Sequence, residues 1–326
     1  MNVLVSSAGR RTSLVNLFRT AVQPLGGRVI AADMDPLAPA LYLADQAVRV
    51  PRVTAPEYIP ELLKLVERHA VNLLVPTIDT ELPVLAEAQE QFRALGCRVH
   101  ISSAQFVQIT GDKWLTAQEF AEQGIRVPRS WLPEQVSGPL STAQDLPDKL
   151  FLKPRDGSAS MHTYSVQRSN LLDMLQQVPN AIVQEEIVGK EITIDAFIGQ
   201  DGTPVHFVPR ARIRTLGGES IQGVTLPGEE RLTAFLNTVL VAAAKLGGRG
   251  AITLQAFDTG SEYILLEINP RFGGGYPLGH AAGGAYPEWL LQELAGERIL
   301  PRLGQYEVGL YMTRANTEIF TREPKW

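Results

Sequence analysis

Glu267-Ile268-Asn269-Pro270-Arg271, closing the apolar run Tyr263-Ile264-Leu265-Leu266, is the stretch whose reading decides the fold. A strand sends alternate side chains to one face. Glu267 and Asn269 therefore point together, while Ile264, Leu266 and Ile268 point away into a core. Upstream, residues 251–257 read as a partner strand and Asp258-Thr-Gly-Ser-Glu262 as the turn of a hairpin. That hairpin sets Gln255 opposite or diagonal to Glu267. Gln255, Glu267 and Asn269 then converge as oxygen ligands of the kind that hard divalent cations take, with the cation Arg271 beside them. The bland alternative is a half-exposed hairpin with a polar face.

Working outward, 326 residues suffice for about two domains. A net charge of −5 argues against a nucleic-acid surface. With Cys97 as the single cysteine there is no intrachain disulfide, and structural zinc is disfavoured. The first residues lack a signal-peptide pattern, and no apolar run reaches the length of a membrane span. The expectation is a cytoplasmic enzyme without nucleic-acid or membrane partners.

Residues 1–101 alternate short apolar strands, at 3–5, 29–31, 47–50, 73–75 and 97–101, with helical patterns at 12–22, 57–69 and 81–94. This order implies a doubly wound, Rossmann-like parallel sheet with ligands at the strands' carboxyl ends. The first loop, Ser6-Ser-Ala-Gly9-Arg10-Arg11, is not G-x-G-x-x-G. Arg10 and Arg11 suit a carboxylate or phosphate, or are solvated arginines at a tight turn. Asp33 is a ribose acceptor or a turn residue. Asp79 and Glu81 either grip a substrate amine or cap the helix that follows.

A helical linker at 102–126 leads to a small α+β lid at 127–184. Leu150-Phe-Leu-Lys153-Pro is a strand there, and Arg155-Asp-Gly157-Ser158-Ala-Ser160 a small-residue loop of the kind that approaches phosphate or closes a surface hairpin. Lys153 adds the point charge that phosphates need. Residues 185–326 form a larger antiparallel unit. In it Ile192, Ile194, Ala196 and Ile198 share one face of a strand, and a long apolar helix ends at Gly247-Gly248.

Taken together these motifs resemble the ATP-grasp superfamily, most closely single-unit relatives of the carbamoyl-phosphate synthase large subunit. The resemblance implies a mixed α/β and α+β chain, with a Rossmann-like pre-ATP-grasp domain followed by a two-part ATP-grasp fold. It implies that Lys113 and Lys153 reach ATP phosphates beneath the loop at Gly157, Ser158 and Ser160. Glu185, Glu186, Ile187 and Val188 form the hinge that reads adenine, and Glu191 accepts the ribose hydroxyls. Gln255, Glu267 and Asn269 hold Mg2+ or Mn2+, and Arg271 steadies the transferring phosphoryl group. Arg212 and Arg214, ahead of Gly217-Gly-Glu219-Ser220, resemble the family's basic strand.

One ATP-grasp unit, no amidotransferase segment and Lys153 in place of an arginine argue against carbamoyl-phosphate synthesis. They leave a carboxylate–amine ligase with an acyl-phosphate intermediate. The alternatives are a nucleotide-binding regulatory or scaffold protein and a kinase- or carboxylase-like enzyme. The substrates are a small acid and amine, with amino acids favoured. Their pocket is expected at Arg10, Arg11, Asp79, Glu81, Arg212, Arg214, Gly273 and Gly274. A homodimer is implied by the resemblance alone.

Overall fold

The computed structural model describes all residues except 138–144, 158–161, 217–218, 316 and 325–326. The first unit contains β1 (Asn2–Ser6), α1 (Thr12–Val22), β2 (Val29–Asp33), β3 (Gln46–Arg49), α2 (Tyr58–Arg68), β4 (Val71–Pro76), α3 (Leu82–Ala94) and β5 (Arg98–Val99). Its five parallel strands run in the order β3-β2-β1-β4-β5. The topological switch point lies between β1 and β4, which puts the loops after Ser6 and Pro76 on either side of one crevice. Only Arg98 and Val99 of the expected strand 97–101 pair, because this edge strand has β4 alone as a neighbour.

Two helices follow, α4 (Ala104–Gly111) and α5 (Lys113–Glu122). They bury Phe106, Ile109, Ala117 and Phe120 in the core beneath the large sheet. The small unit holds β6 (Ser130–Trp131), α6 (Pro133–Val136), β7 (Lys149–Pro154), β8 (Tyr164–Gln167), α7 (Leu171–Leu175) and β9 (Ala181–Glu185), with sheet order β6-β9-β7-β8.

The large unit contains β10 (Lys190–Ile198), β11 (Pro204–Leu216), β12 (Glu219–Thr225), α8 (Glu230–Lys245), β13 (Gly250–Asp258), β14 (Tyr263–Asn269), α9 (Tyr276–Ala281), α10 (Tyr286–Leu294) and β15 (Tyr311–Thr313). Its antiparallel order is β14-β13-β10-β11-β12-β15. Ile192, Ile194, Ala196 and Ile198 of β10 pack with Leu232, Leu236, Val239 and Leu240 of α8. Alternation then sends Glu191, Thr193 and Asp195 to the opposite face. That face also carries Phe197, which joins α10 and the underside of the first sheet in one continuous core. Among the described residues no helix is long and apolar enough to cross a membrane.

One expectation needs correction. The hairpin pairs Gln255 with Glu267 and Ala256 with Leu265, so Leu266 is an extra residue, a β-bulge in β14. Strict alternation is broken there. Tyr263, Leu265 and Ile268 join the α8 core, whereas Leu266 turns outward beside Glu267. Ile264 is buried as expected, but Leu266 is not a core residue.

Candidate active site

A cavity of about 620 Å³ opens between the small and large sheets, within the range of small-ligand sites. Alternation along β7 sends Phe151 and Lys153 into it. Lys153 is half-buried at this wall. Burial lowers its amine to about 8 from the ordinary 10.5, with Lys113 pushing the same way and Glu267 and Glu191 opposing. Lys113 enters from the first turn of α5. Asp112 caps that helix through the Trp114 amide at 2.8 Å and pairs with Arg155. The Lys113 ammonium donates to the Gly157 carbonyl at 2.9 Å and the Arg155 carbonyl at 3.4 Å, so it lies against the loop that follows Lys153.

The opposite wall is the β13–β14 hairpin. Gln255 and Glu267 are cross-strand partners, and both line the cavity. Asn269, paired with Thr253, turns its amide nitrogen to Glu267 Oε1 at 3.2 Å. One carboxylate and two amide oxygens form a hard donor set that suits Mg2+ if phosphates and water complete the shell. Among the described residues no group of three His, Cys, Asp or Glu side chains is arranged to hold a metal. This donor set therefore fits a cation that arrives with its nucleotide better than a resident one.

The rim comes from the β9–β10 connection. Glu185, Glu186 and Ile187 line the cavity, while Val188 is 85% exposed and does not. Burial would raise the Glu185 carboxyl, but the Arg129 amide, Arg126 and Arg129 hold it below the ordinary carboxylate range. Glu191 lies opposite Arg212 on β11 and is ion-paired to it. Both line the cavity. Phe151, Phe257 and Leu266 supply apolar walls suited to a flat ring.

The remaining candidates are more dispersed. Arg271 lies just beyond Asn269 and makes a two-point ion pair with Asp79 in the loop after β4. Glu81 does not face this space. It is fully buried, accepting from the Thr77 amide at 3.2 Å and from the Tyr58 hydroxyl, and burial raises its carboxyl. It does not cap α3 either. Asp33 binds the Gly9 and Asp35 amides, which makes it a turn-holding residue. Gly9 has φ +47°, so a side chain there would strain this tight turn.

Arg11 donates to the Thr77 carbonyl, whereas Arg10 is exposed. Arg214 is exposed further along β11. Gly273 packs against Thr253 and Asp195, and the Gly274 carbonyl accepts from Arg314. Ser158, Ser160 and Gly217-Gly218 lie outside the described residues.

Sequence reasoning missed Phe151, Phe257 and Leu266. The first two were within reach, since Phe151 stands two residues before Lys153 and Phe257 two after Gln255. Leu266 had no signal, because a bulge put it there.

A model of the ATP-grasp domain matches residues 110–275, and a model of the PylC-like, N-terminal domain matches residues 3–100. The chain belongs to the ATP-grasp family. It is 28% identical over 268 residues to a formate-dependent phosphoribosylglycinamide formyltransferase of Synechococcus sp. (strain RCC307), an alignment covering 77% of this chain and 65% of that protein. The chain thus spans just under two thirds of that relative's length.

Among solved structures, the biotin carboxylase of Campylobacter jejuni, a β-γ-ATP complex, superposes with a TM-score of 0.77 at 15% identity. The match covers 95% of this chain and 74% of that one. The N5-carboxyaminoimidazole synthetase of Staphylococcus aureus, complexed with ADP, gives 0.71 at 12% identity over 94% of this chain and 79% of that one. These two likenesses establish the ATP-grasp fold.

Proposed function

We propose that the chain is an ATP-dependent carboxylate–amine ligase. The observation that carries this reading is one cavity with Lys113 and Lys153 on one wall and the in-register Gln255–Glu267 pair on the other. Phosphoryl transfer asks for positioning and charge neutralisation rather than covalent help, and two cations facing an oxygen donor set meet that need.

A substrate carboxylate oxygen attacks the γ-phosphorus of ATP, the bond to the bridging oxygen breaks, and ADP leaves beside an acyl phosphate. An amine nitrogen then attacks the acyl carbon, loses a proton and expels phosphate. Lys113 and Lys153 offset phosphate charge. Glu191 accepts from ribose, the segment 185–187 meets the adenine edge while Val188 stays outside the cavity, and Phe151, Phe257 and Leu266 pack on the ring. Gln255, Glu267 and Asn269 would hold Mg2+, or Mn2+ in its place, and the cation would neutralise and orient the phosphates. Arg271 stabilises charge on the phosphoryl group as it moves to the acid.

The deciding experiment is hydroxylamine trapping. With ATP, magnesium and the acid, but no amine, the acyl phosphate should be captured as a hydroxamate. ADP release that needs both acid and amine, without hydroxamate, would refute the intermediate. Turnover without an amine would mark a kinase- or carboxylase-like enzyme, and ATP binding without hydrolysis a regulatory protein. The reading includes a cytoplasmic homodimer, with sedimentation analysis as the check on assembly.

A further inference from the structure

Arg271 is held at both ends. Its amide donates to the Asn269 carbonyl at 2.8 Å, and Thr253 Oγ1 donates to its carbonyl at 3.2 Å, so its backbone is pinned beside Glu267 and Asn269. Its guanidinium crosses to the first unit, where Nε and Nη2 meet the two Asp79 oxygens at 3.0 and 2.8 Å. Asp79 caps nothing, since α3 has no side-chain cap. Among the described residues, Arg271 is the only partner shown for its carboxylate.

The contrast with Arg210–Asp195 is informative. That pair is 3% and 1% exposed and is walled in by Gly275 and Gly279, where any Cβ would collide with it. It is sealed. The Asp79–Arg271 pair is 32% and 12% exposed and sits at the switch-point crevice, where a doubly wound sheet takes its ligands. Arg271 is mostly covered, so the pair is open to water on its Asp79 side, where a ligand can compete for both partners.

We propose that Asp79 and Arg271 recognise the two charged ends of one zwitterionic substrate, a free amino acid. Its carboxylate replaces Asp79 on the guanidinium fork, and its ammonium replaces Arg271 on the Asp79 carboxylate. Each protein charge keeps a partner, and the planar two-point geometry of Arg271 is reused. An acid without an amine would strip Asp79 of its cation. An amine without an acid would strip Arg271 of its anion. Sites that leave their own polar groups unpaired reject such analogues strongly. The inference rests on the ligase reading only for the fate of the carboxylate, which Arg271 would hold next to the phosphate-facing wall.

Binding is measured without turnover, so the two readings fail separately. Free L- and D-amino acids are screened with the full chain by thermal shift, with and without ATP and magnesium, and the best binder is titrated calorimetrically beside its N-acetyl and carboxamide derivatives. Both derivatives should bind at least tenfold more weakly. Asp79→Asn should erase the preference for the free amine, and Arg271→Gln the preference for the free carboxylate, with Asp79→Glu restoring part of the first. A purely structural tie would lower the melting midpoint in these variants and leave both preferences unchanged. Derivatives that bind as well as their parent, or a chain that answers to ATP but to no amino acid, overturn the proposal. Failure to bind ATP overturns the ligase reading instead.

Discussion

With Lys153 against the phosphates, as proposed above, ATP binding should be a proton-uptake reaction in mildly alkaline solution. Its amine sits at about 8, against 10.5 for an ordinary lysine, chiefly because burial strips its water. In the proposed complex, phosphate oxygens beside it would restore what burial removed. At pH 9 an amine with a pKa of about 8 is roughly nine-tenths neutral, and one returned to 10.5 is almost wholly protonated, so binding should take up about 0.9 proton. ATP affinity should then fall about tenfold for each pH unit above 8. The gap from about 8 to 10.5 allows a total of roughly a few hundredfold, or ~3 kcal/mol. The sign for stability is the reverse. The cost of the buried charge is carried in full below pH 8 and fades as pH rises towards 10.5, so this lysine adds stability across that window.

Calorimetry at pH 9 in two buffers of different ionisation enthalpy reads the uptake directly, and Lys153→Arg should abolish it while keeping a cation in place. Negligible uptake at pH 9, or uptake that survives Lys153→Arg, refutes the assignment.

Three further outcomes are expected. Glu267→Gln should lower turnover by at least about a hundredfold, because an amide cannot balance a cation's charge, while the melting midpoint moves little; retained activity at saturating magnesium would remove Glu267 from the mechanism. Asp195→Asn leaves Arg210 buried without its anion and should destabilise the chain by ~3–5 kcal/mol in denaturant titration. Gly275→Ala puts a methyl group 2.3 Å from Arg210 Nη1, so it should cost about 1–3 kcal/mol in the same assay and leave ATP binding near normal.

The fold was legible wherever a period was clean. Ile192, Ile194, Ala196 and Ile198 announce a half-buried strand, and they do pack against α8. The same rule set Gln255 facing Glu267 across a hairpin whose turn residues were visible in the sequence. It failed at the very next residue. A bulge changes the count by one without any residue type that marks it, so Leu266 exchanged the core for the cavity.

The site was legible in its residue types and illegible in its partnerships. Lys153 and Glu267 stand out because a cation or carboxylate at the end of an apolar strand has no place in a core, whereas Glu191 is marked by the family resemblance alone. What each of them meets is decided by register and by packing between units. Glu191 meets Arg212 because β10 and β11 pair Ile192 with Ala211. Asp79 meets Arg271 across 192 residues because the first sheet shares a core with the large one through Phe197, Phe272 and Trp289. Glu81 is two residues from Asp79 and chemically its near twin, yet it turns inward to Tyr58 and Thr77. Local sequence treats these two acids alike, and the half-turn between them assigns one to the core and the other to the crevice. Spacing could place carboxylates near a substrate, but only the packed structure separates the acid that holds a loop together from the acid that is free to exchange its partner.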